Sequence, residues 1–311
     1  MSNPWLDYVT NFRDNLPAGV TWRADIARYV YLGKRFVHPN DVLWYKSYLE
    51  RTGGGGDPFA VLMATLGTGA AQLIAHPLEY GSMFQDRAGT VPVTESGQLV
   101  GLVLDAGGGG YHAEAISDPA RGVFRDVGGF RYIEYNGTNT AYQTAVLPAP
   151  GVDKAQVFAG LRKLSDALGG NVFEIGNIIS ENGSFLLRAP RSAAANFSMA
   201  SRGTQIQEAQ SASVFPAPST NIITALGDIS GDLATLRIDG AQVAQNTGDQ
   251  GTGNYNPAGA YRVGYGSRAG TALFFNGRHY ATLGPIVRFG TNATVEQIEA
   301  AEAYYTARTG L

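Results

Sequence analysis

The sequence contains no cysteine, which excludes disulfides, zinc–thiolate centres and cysteine nucleophiles and leaves the fold to be held by its core alone. Charge is also scarce, at 16% of the 311 residues against about 25% in an average soluble domain. The surface must rely on Ser, Thr, Asn, Gln and Gly, which present neutral hydrogen-bonding groups to a neutral or weakly charged partner. There is no basic surplus, the net charge being −3. A nucleic-acid partner is therefore not expected, because phosphate binding needs a cationic surface. Met1 to Asp7 shows no basic region followed by an apolar run, so a cleaved signal peptide is not expected. His38, His76, His112 and His279 stand apart, without metal-binding spacing, and neither a metal nor another cofactor is expected. One stretch without formal charge, Pro58 to Ala75, is broken by Thr65, Gly67, Thr68, Gly69 and Gln72. It reads as a buried core segment and not as a membrane insertion.

What is abundant is glycine, at 41 residues, with 14 prolines and 44% hydrophobic residues. Many turns between short apolar stretches indicate a mainly β fold. Residues 1–52 differ from the rest in being rich in charge and aromatics, and they read as an arm of three helices. Trp5, Tyr8, Val9 and Phe12 share a helical face in the first, Trp22, Ile26, Tyr29 and Val30 in the second, and Val42, Tyr45 and Leu49 in the third. So short a segment buries little surface, and the arm is expected to need a partner, either its own copies or a docking protein. Gly53 to Gly56 reads as a linker, leaving 57–311 as one large domain. Within it Asn136-Gly137, Asn182-Gly183, Asp239-Gly240 and Asn276-Gly277 are tight-turn dipeptides. The clearest hairpin is Leu236 to Val243, whose flanks alternate. Thr294-Val295-Glu296-Gln297 forms a capping box for a final helix with Ile298, Ala301 and Tyr305 on one face and Gly310 as its stop. That helix is expected to close the end of a sandwich.

The succession Arg237-Ile238-Asp239-Gly240, Asp249 to Tyr255, Tyr261-Arg262-Val263-Gly264, Phe275-Asn276-Gly277-Arg278 and the last helix resembles the C-terminal half of LamG-like, concanavalin A-like jelly rolls. Met83 to Thr94, Val100 to Asp105 and Tyr135-Asn136-Gly137 are similar to the version of this domain in phage and prophage virion proteins. The resemblance spans Met83 to Gly310 and implies a concanavalin A-like jelly-roll sandwich behind the arm. With the arm included, the chain resembles the receptor-binding fibres of tailed-phage particles and the head-spike fibres of bacterial gene transfer agents. That implies a protein made in the bacterial cytoplasm and displayed on a particle, binding a capsular or other surface polysaccharide, joined to a virion base or capsid protein through residues 1–52, and homo-oligomeric.

Folds of this type also include glycoside hydrolases, whose retaining members set two carboxylates about 5 Å apart. No Glu-x-Asp-x-x-Glu strand occurs; Glu134 and Glu174 are lone carboxylates in strand-like surroundings. Binding without catalysis is the expectation, with a structural virion protein and a depolymerase as the alternatives. Asp228, Asp232 and Asp249 carry oxygens of the kind calcium takes, but read as turn residues that bond their own backbone. Gly107 to Gly110 lacks the Lys-Ser/Thr of a phosphate cradle and reads as a loop. A sugar needs an aromatic face and planar groups that bond hydroxyls in pairs. Asp249, Asn254 and Asn256 around Tyr255 offer that set, with Tyr111, His112 and Arg268 as further candidates.

Overall fold

The computed structural model describes residues 57–67, 70–176 and 180–311, and three short strands nearer the N-terminus. The chain divides into two units, Met1–Val61 and Leu62–Leu311. In the first, β1 (Thr21–Arg23), β2 (Arg28–Tyr31) and β3 (Lys34–Phe36) form an antiparallel sheet in that order. Thr21 lies opposite Val30, and Tyr29 opposite Phe36. This corrects the expectation of a second helix across Trp22 to Val30. Aromatic and β-branched residues suit strands at least as well as helices, and the period there was too short to choose between them. The first and third expected helices and the glycine linker lie outside the described residues.

A helix, α1 (Pro58–Gly67), leads into the larger unit. The uncharged stretch from Pro58 is thus a ten-residue helix followed by a strand, and no helix among the described residues is long and apolar enough to cross a membrane. The strands then follow as β4 (Ala70–Ile74), β5 (Met83–Phe84), β6 (Leu99–Val100), β7 (Leu102–Val103), β8 (Ala113–Ala115), β9 (Gly122–Val127), β10 (Phe130–Asn136), β11 (Tyr142–Thr144), β12 (Lys154–Lys163), β13 (Asn171–Ile175) and β14 (Phe185–Arg188). After them come β15 (Ser198–Arg202), β16 (Ile206–Gln210), β17 (Ser219–Asp228), β18 (Leu233–Ile238), β19 (Ala241–Asn246), β20 (Val263–Tyr265), β21 (Asn276–Tyr280) and β22 (Ile286–Gly290). A ten-stranded sheet runs β19-β18-β17-β12-β21-β10-β9-β6, with β22 and β4 branching from β12, and a nine-stranded sheet runs β16-β15-β14-β13-β20-β11-β8-β7-β5.

The two sheets share one core, as a sandwich requires. Alternate residues of β12, Ala155, Val157, Ala159 and Leu161, meet Phe173, Ile175, Phe185, Leu187 and Met199 of the facing sheet. The other face of β12 lies under α2 (Val295–Thr309), and Gly160 allows this approach: a Cβ there would lie 2.8 Å from the Tyr305 ring. The final helix therefore covers a face of the ten-stranded sheet and does not close an end. Its capping box is present in both directions, Gln297 N donating to Thr294 Oγ1 at 3.2 Å and Thr294 N to Gln297 Oε1 at 3.0 Å, and Gly310 ends it at φ +75°.

Asp239-Gly240 makes the expected β18–β19 hairpin, with φ of +51° and +81°. Asn276-Gly277 is no turn; both residues lie within β21, where a Cβ on Gly277 would stand 2.3 Å from the Arg162 carbonyl oxygen. Here glycine serves a close backbone approach, not a positive φ.

Candidate functional site

Where β4 and the loop after β7 come together, the larger unit opens into a cleft of about 500 Å3. Its walls are Gln72 and Leu73 on one side, Gly107, Gly108, Gly109 and Tyr111 along the floor, and Pro148, Ala149 and Pro150 opposite. Asp105 shapes the floor. Its Oδ1 accepts from Ala75 N at 3.1 Å and Gly107 N at 2.8 Å, and its Oδ2 from Tyr111 N at 3.2 Å. The glycines answer distinct demands: a Cβ on Gly107 would strike the Leu73 carbonyl oxygen at 2.0 Å, and one on Gly109 the Tyr111 ring at 2.3 Å. The Tyr111 ring is thereby laid against bare backbone, half-buried with its inner part against the core.

His76 ties this floor to the interior. Its Nε2 lies 2.8 Å from the Tyr111 carbonyl oxygen, which can only accept, so Nε2 carries the proton and Nδ1 accepts from Tyr265 Oη at 3.1 Å. Burial holds the ring neutral, with its pKa lowered to about 4. His112 is exposed, and its Nδ1 accepts from Asp105 N at 3.0 Å. It supports the Asp105 turn without lining the cleft.

The loop expected around Asp249 and Tyr255 is built differently from its sequence reading. Tyr255 is fully enclosed, with its ring 6.0 Å from that of Phe185 and its Oη 2.5 Å from Ser201 Oγ. Ser201 Oγ donates to Gln250 Oε1 at 2.5 Å, so Tyr255 supplies the other proton. Burial pushes its phenol well above the usual range. A ring with no exposed face offers nothing to a sugar, and Tyr255 is a core residue. Asn256 is also enclosed: at φ +47° its Nδ2 donates to the carbonyls of Leu147 (2.9 Å) and Pro148 (3.2 Å), while its Oδ1 accepts from Ala260 N and Tyr261 N, both at 2.9 Å. It is no contact residue, yet it fixes the proline wall of the Tyr111 cleft. Asp249 is exposed and turned back on its loop, Oδ1 accepting from Gly251 N at 2.6 Å. Asn254 is half-buried and does not line the cleft. Arg268 is exposed, on the hairpin between β20 and β21, away from the cleft.

Tyr111 is thus the one sequence candidate that lines the cleft, with Asn256 and His112 behind it. Asp105, His76, Gln72 and the proline wall escaped the sequence reading. Asp two residues before a glycine is a turn signal that could have found Asp105, whereas the convergence of Pro148 and Gly107 on one cleft joins distant parts of the chain and has no local signature. Of the two lone carboxylates, Glu134 pairs with Arg125 at 2.9 Å. Glu174 is buried, with Oε2 accepting from Asn171 Nδ2 at 3.0 Å and Oε1 from Ala269 N at 2.5 Å. Asp228 uses its oxygens on Gly231 N, Lys154 and Asn292.

No protein family matches the chain, and neither does any curated protein. Among solved structures, domain 4 of AbnA, a GH43 extracellular arabinanase from Geobacillus stearothermophilus in complex with arabinotriose, is similar at 12% identity and a TM-score of 0.47, over 67% of this chain and 100% of that one. The binding domain of Botulinum neurotoxin DC in complex with SialylT is similar at 7% identity and a TM-score of 0.46, over 66% and 49%. The Ruminococcus gnavus IT-sialidase CBM40 bound to alpha2,3 sialyllactose is similar at 16% identity and a TM-score of 0.38, over 49% and 83%. At these values neither ligand nor site passes from those proteins to this chain.

Proposed function

We propose that this protein binds a surface or capsular polysaccharide without cleaving it, as the receptor-binding fibre of a virion or phage-like particle, and that the Tyr111 cleft makes the contact. The cleft carries the reading. An aromatic ring on a glycine floor gives sugar C–H groups a flat partner, the proline wall adds rigid apolar surface, and the Gln72 amide offers a donor and an acceptor to hydroxyls. A hydrolase would need a general acid within reach of its substrate, and Glu174 is enclosed with both oxygens engaged. Residues 1–52 attach the protein to a virion base or capsid protein, together with further copies of itself.

The test is binding of the full chain to encapsulated cells and to cells stripped of capsule. Selective binding to the encapsulated cells is expected, and Tyr111→Ala weakens it by about 1–3 kcal/mol, the range for a well-placed contact residue. Equal binding to both cell types, or a folded Tyr111→Ala protein with unchanged affinity, overturns the reading.

A further inference from the structure

Two properties of the Tyr111 cleft bear on the kind of sugar it admits: its charge, and where its hydrogen-bond donors are aimed. Among the described residues that line it none is charged; walls and floor are glycine, proline, alanine, leucine, glutamine and one tyrosine. Thr68 and Gly69, between α1 and β4 in the sequence, add no charge. An acidic sugar would therefore meet no cation among these residues.

A formal charge of the opposite kind stands behind the floor. Gly108 and Gly110, at φ +88° and +72°, give the loop the left-handed turns by which successive N–H groups are aimed at one point, an arrangement suited to holding an anion. Here that point is already occupied by the chain itself. The Asp105 carboxylate accepts from Gly107 N at 2.8 Å and Tyr111 N at 3.2 Å within the loop, and from Ala75 N at 3.1 Å beside it. These donors face inward, and the negative charge they hold lies under the surface on which a ligand would rest. The opposite wall is poor in donors as well, since Pro148 and Pro150 have no N–H.

A carboxylate, sulfate or phosphate group can only accept hydrogen bonds, and it loses water on entering a cleft. In this one it would gain no cation and would stand across the glycine floor from Asp105. A sugar hydroxyl both donates and accepts. It can give its proton to Gln72 Oε1 or a backbone carbonyl and take one from Gln72 Nε2, while the C–H face of the same sugar lies on Tyr111.

We propose that the Tyr111 cleft selects an uncharged sugar residue and rejects the same sugar carrying an acid group. Asp105 is the positioning residue for this choice: it fills the loop's anion-binding concavity and leaves its charge beneath the ligand. That the cleft is a sugar site rests on the reading given above; the preference for an uncharged sugar is a separate property, and the two can fail separately.

The test is affinity electrophoresis of the full chain through gels containing dextran, galactan or mannan, each hydroxyethylated or carboxymethylated on most of its residues, so that the two forms match in bulk and differ in charge. The gels hold about 0.15 M salt, where exposed charges more than about 8 Å apart are largely screened. At least one hydroxyethyl polymer retards the protein, and its carboxymethyl form does so about tenfold less, a difference of about 1.4 kcal/mol. Ala149→Arg, an exposed substitution in the cleft wall, supplies the missing cation and removes most of that difference. Leu168→Arg adds the same charge on an exposed loop outside the cleft and leaves the difference in place. The inference is overturned if no hydroxyethyl polymer retards the protein, if the two forms act equally, or if Ala149→Arg changes nothing in a protein of unchanged melting temperature. Equal retardation by both forms that Tyr111→Ala abolishes sinks the preference and leaves the cleft as a sugar site; a preference that survives in folded Tyr111→Ala protein sinks the cleft, and this inference with it, and leaves polysaccharide binding to another surface.

Discussion

His76 and His279 are enclosed by ring systems, His279 lying 5.2 Å from Tyr135 and 5.3 Å from Phe275. Burial lowers their pKa values from 6.5 to about 4 and about 3. Below 6.5 the unfolded chain binds these protons and the folded one does not, so stability falls as pH falls. Glu174 acts in the opposite sense. Its folded pKa of about 8 exceeds the ordinary 4.5, so its contribution is full below 4.5 and is lost as pH rises toward 8. Between 4.5 and 6.5 two histidines oppose one carboxyl, and above 6.5 only the carboxyl acts, which puts the stability maximum near 6.5. Thermal melting across pH checks this: Glu174→Gln should flatten the alkaline limb and leave the acid limb in place, and an unchanged alkaline limb would refute the assignment. Tyr255 makes a separate prediction. Tyr255→Phe should cost about 1 kcal/mol through its lost bond to Ser201, and Tyr255→Ala about 3–5 kcal/mol through the cavity left, with binding per folded molecule unchanged in denaturant titration and gel retardation. The sequence could not show this. An aromatic between Asn254 and Asn256 looks like a loop residue until Gly227 is seen to admit its hydroxyl, which a Cβ there would meet at 2.2 Å.

At the scale of elements, legibility followed the range of the forces involved. The α2 cap and stop and the β18–β19 hairpin depend on residues within a few positions, and both were readable. Whether α2 lay over a face or across an end depended on Gly160, Thr282 and Thr224, the last two bonded to Tyr305 and Glu302, and no local pattern carries that. The strands of the N-terminal sheet were misread because three or four residues are too few to establish a period. The α2 cap supplies its own test. Thr294→Ala removes the acceptor for Gln297 N and should lower stability by about 1 kcal/mol, measured by urea unfolding at constant m-value; no change would mean that the bond of Gln297 Nε2 to the Thr65 carbonyl, at 2.9 Å, anchors this end alone.

For the whole molecule, the division after Val61 and the single core of the larger unit are the grounds for expecting a fragment that starts at Asp57, and so keeps α1 entire, to fold alone. Cooperative melting of that fragment, with polysaccharide binding retained and particle incorporation lost, is the expected outcome; incorporation at normal abundance would remove the arm as the anchor. The sheet edges bear on how copies coexist. A long bare edge invites another strand, but β16 and β19, the ends of the two sheets, lie beside each other and are cross-linked where Asn246 Nδ2 donates to the Glu208 carbonyl at 3.0 Å. With this margin latched upon itself, two copies of the chain brought close together have no strand to lend each other there, so crowding does not fuse their sheets at this edge.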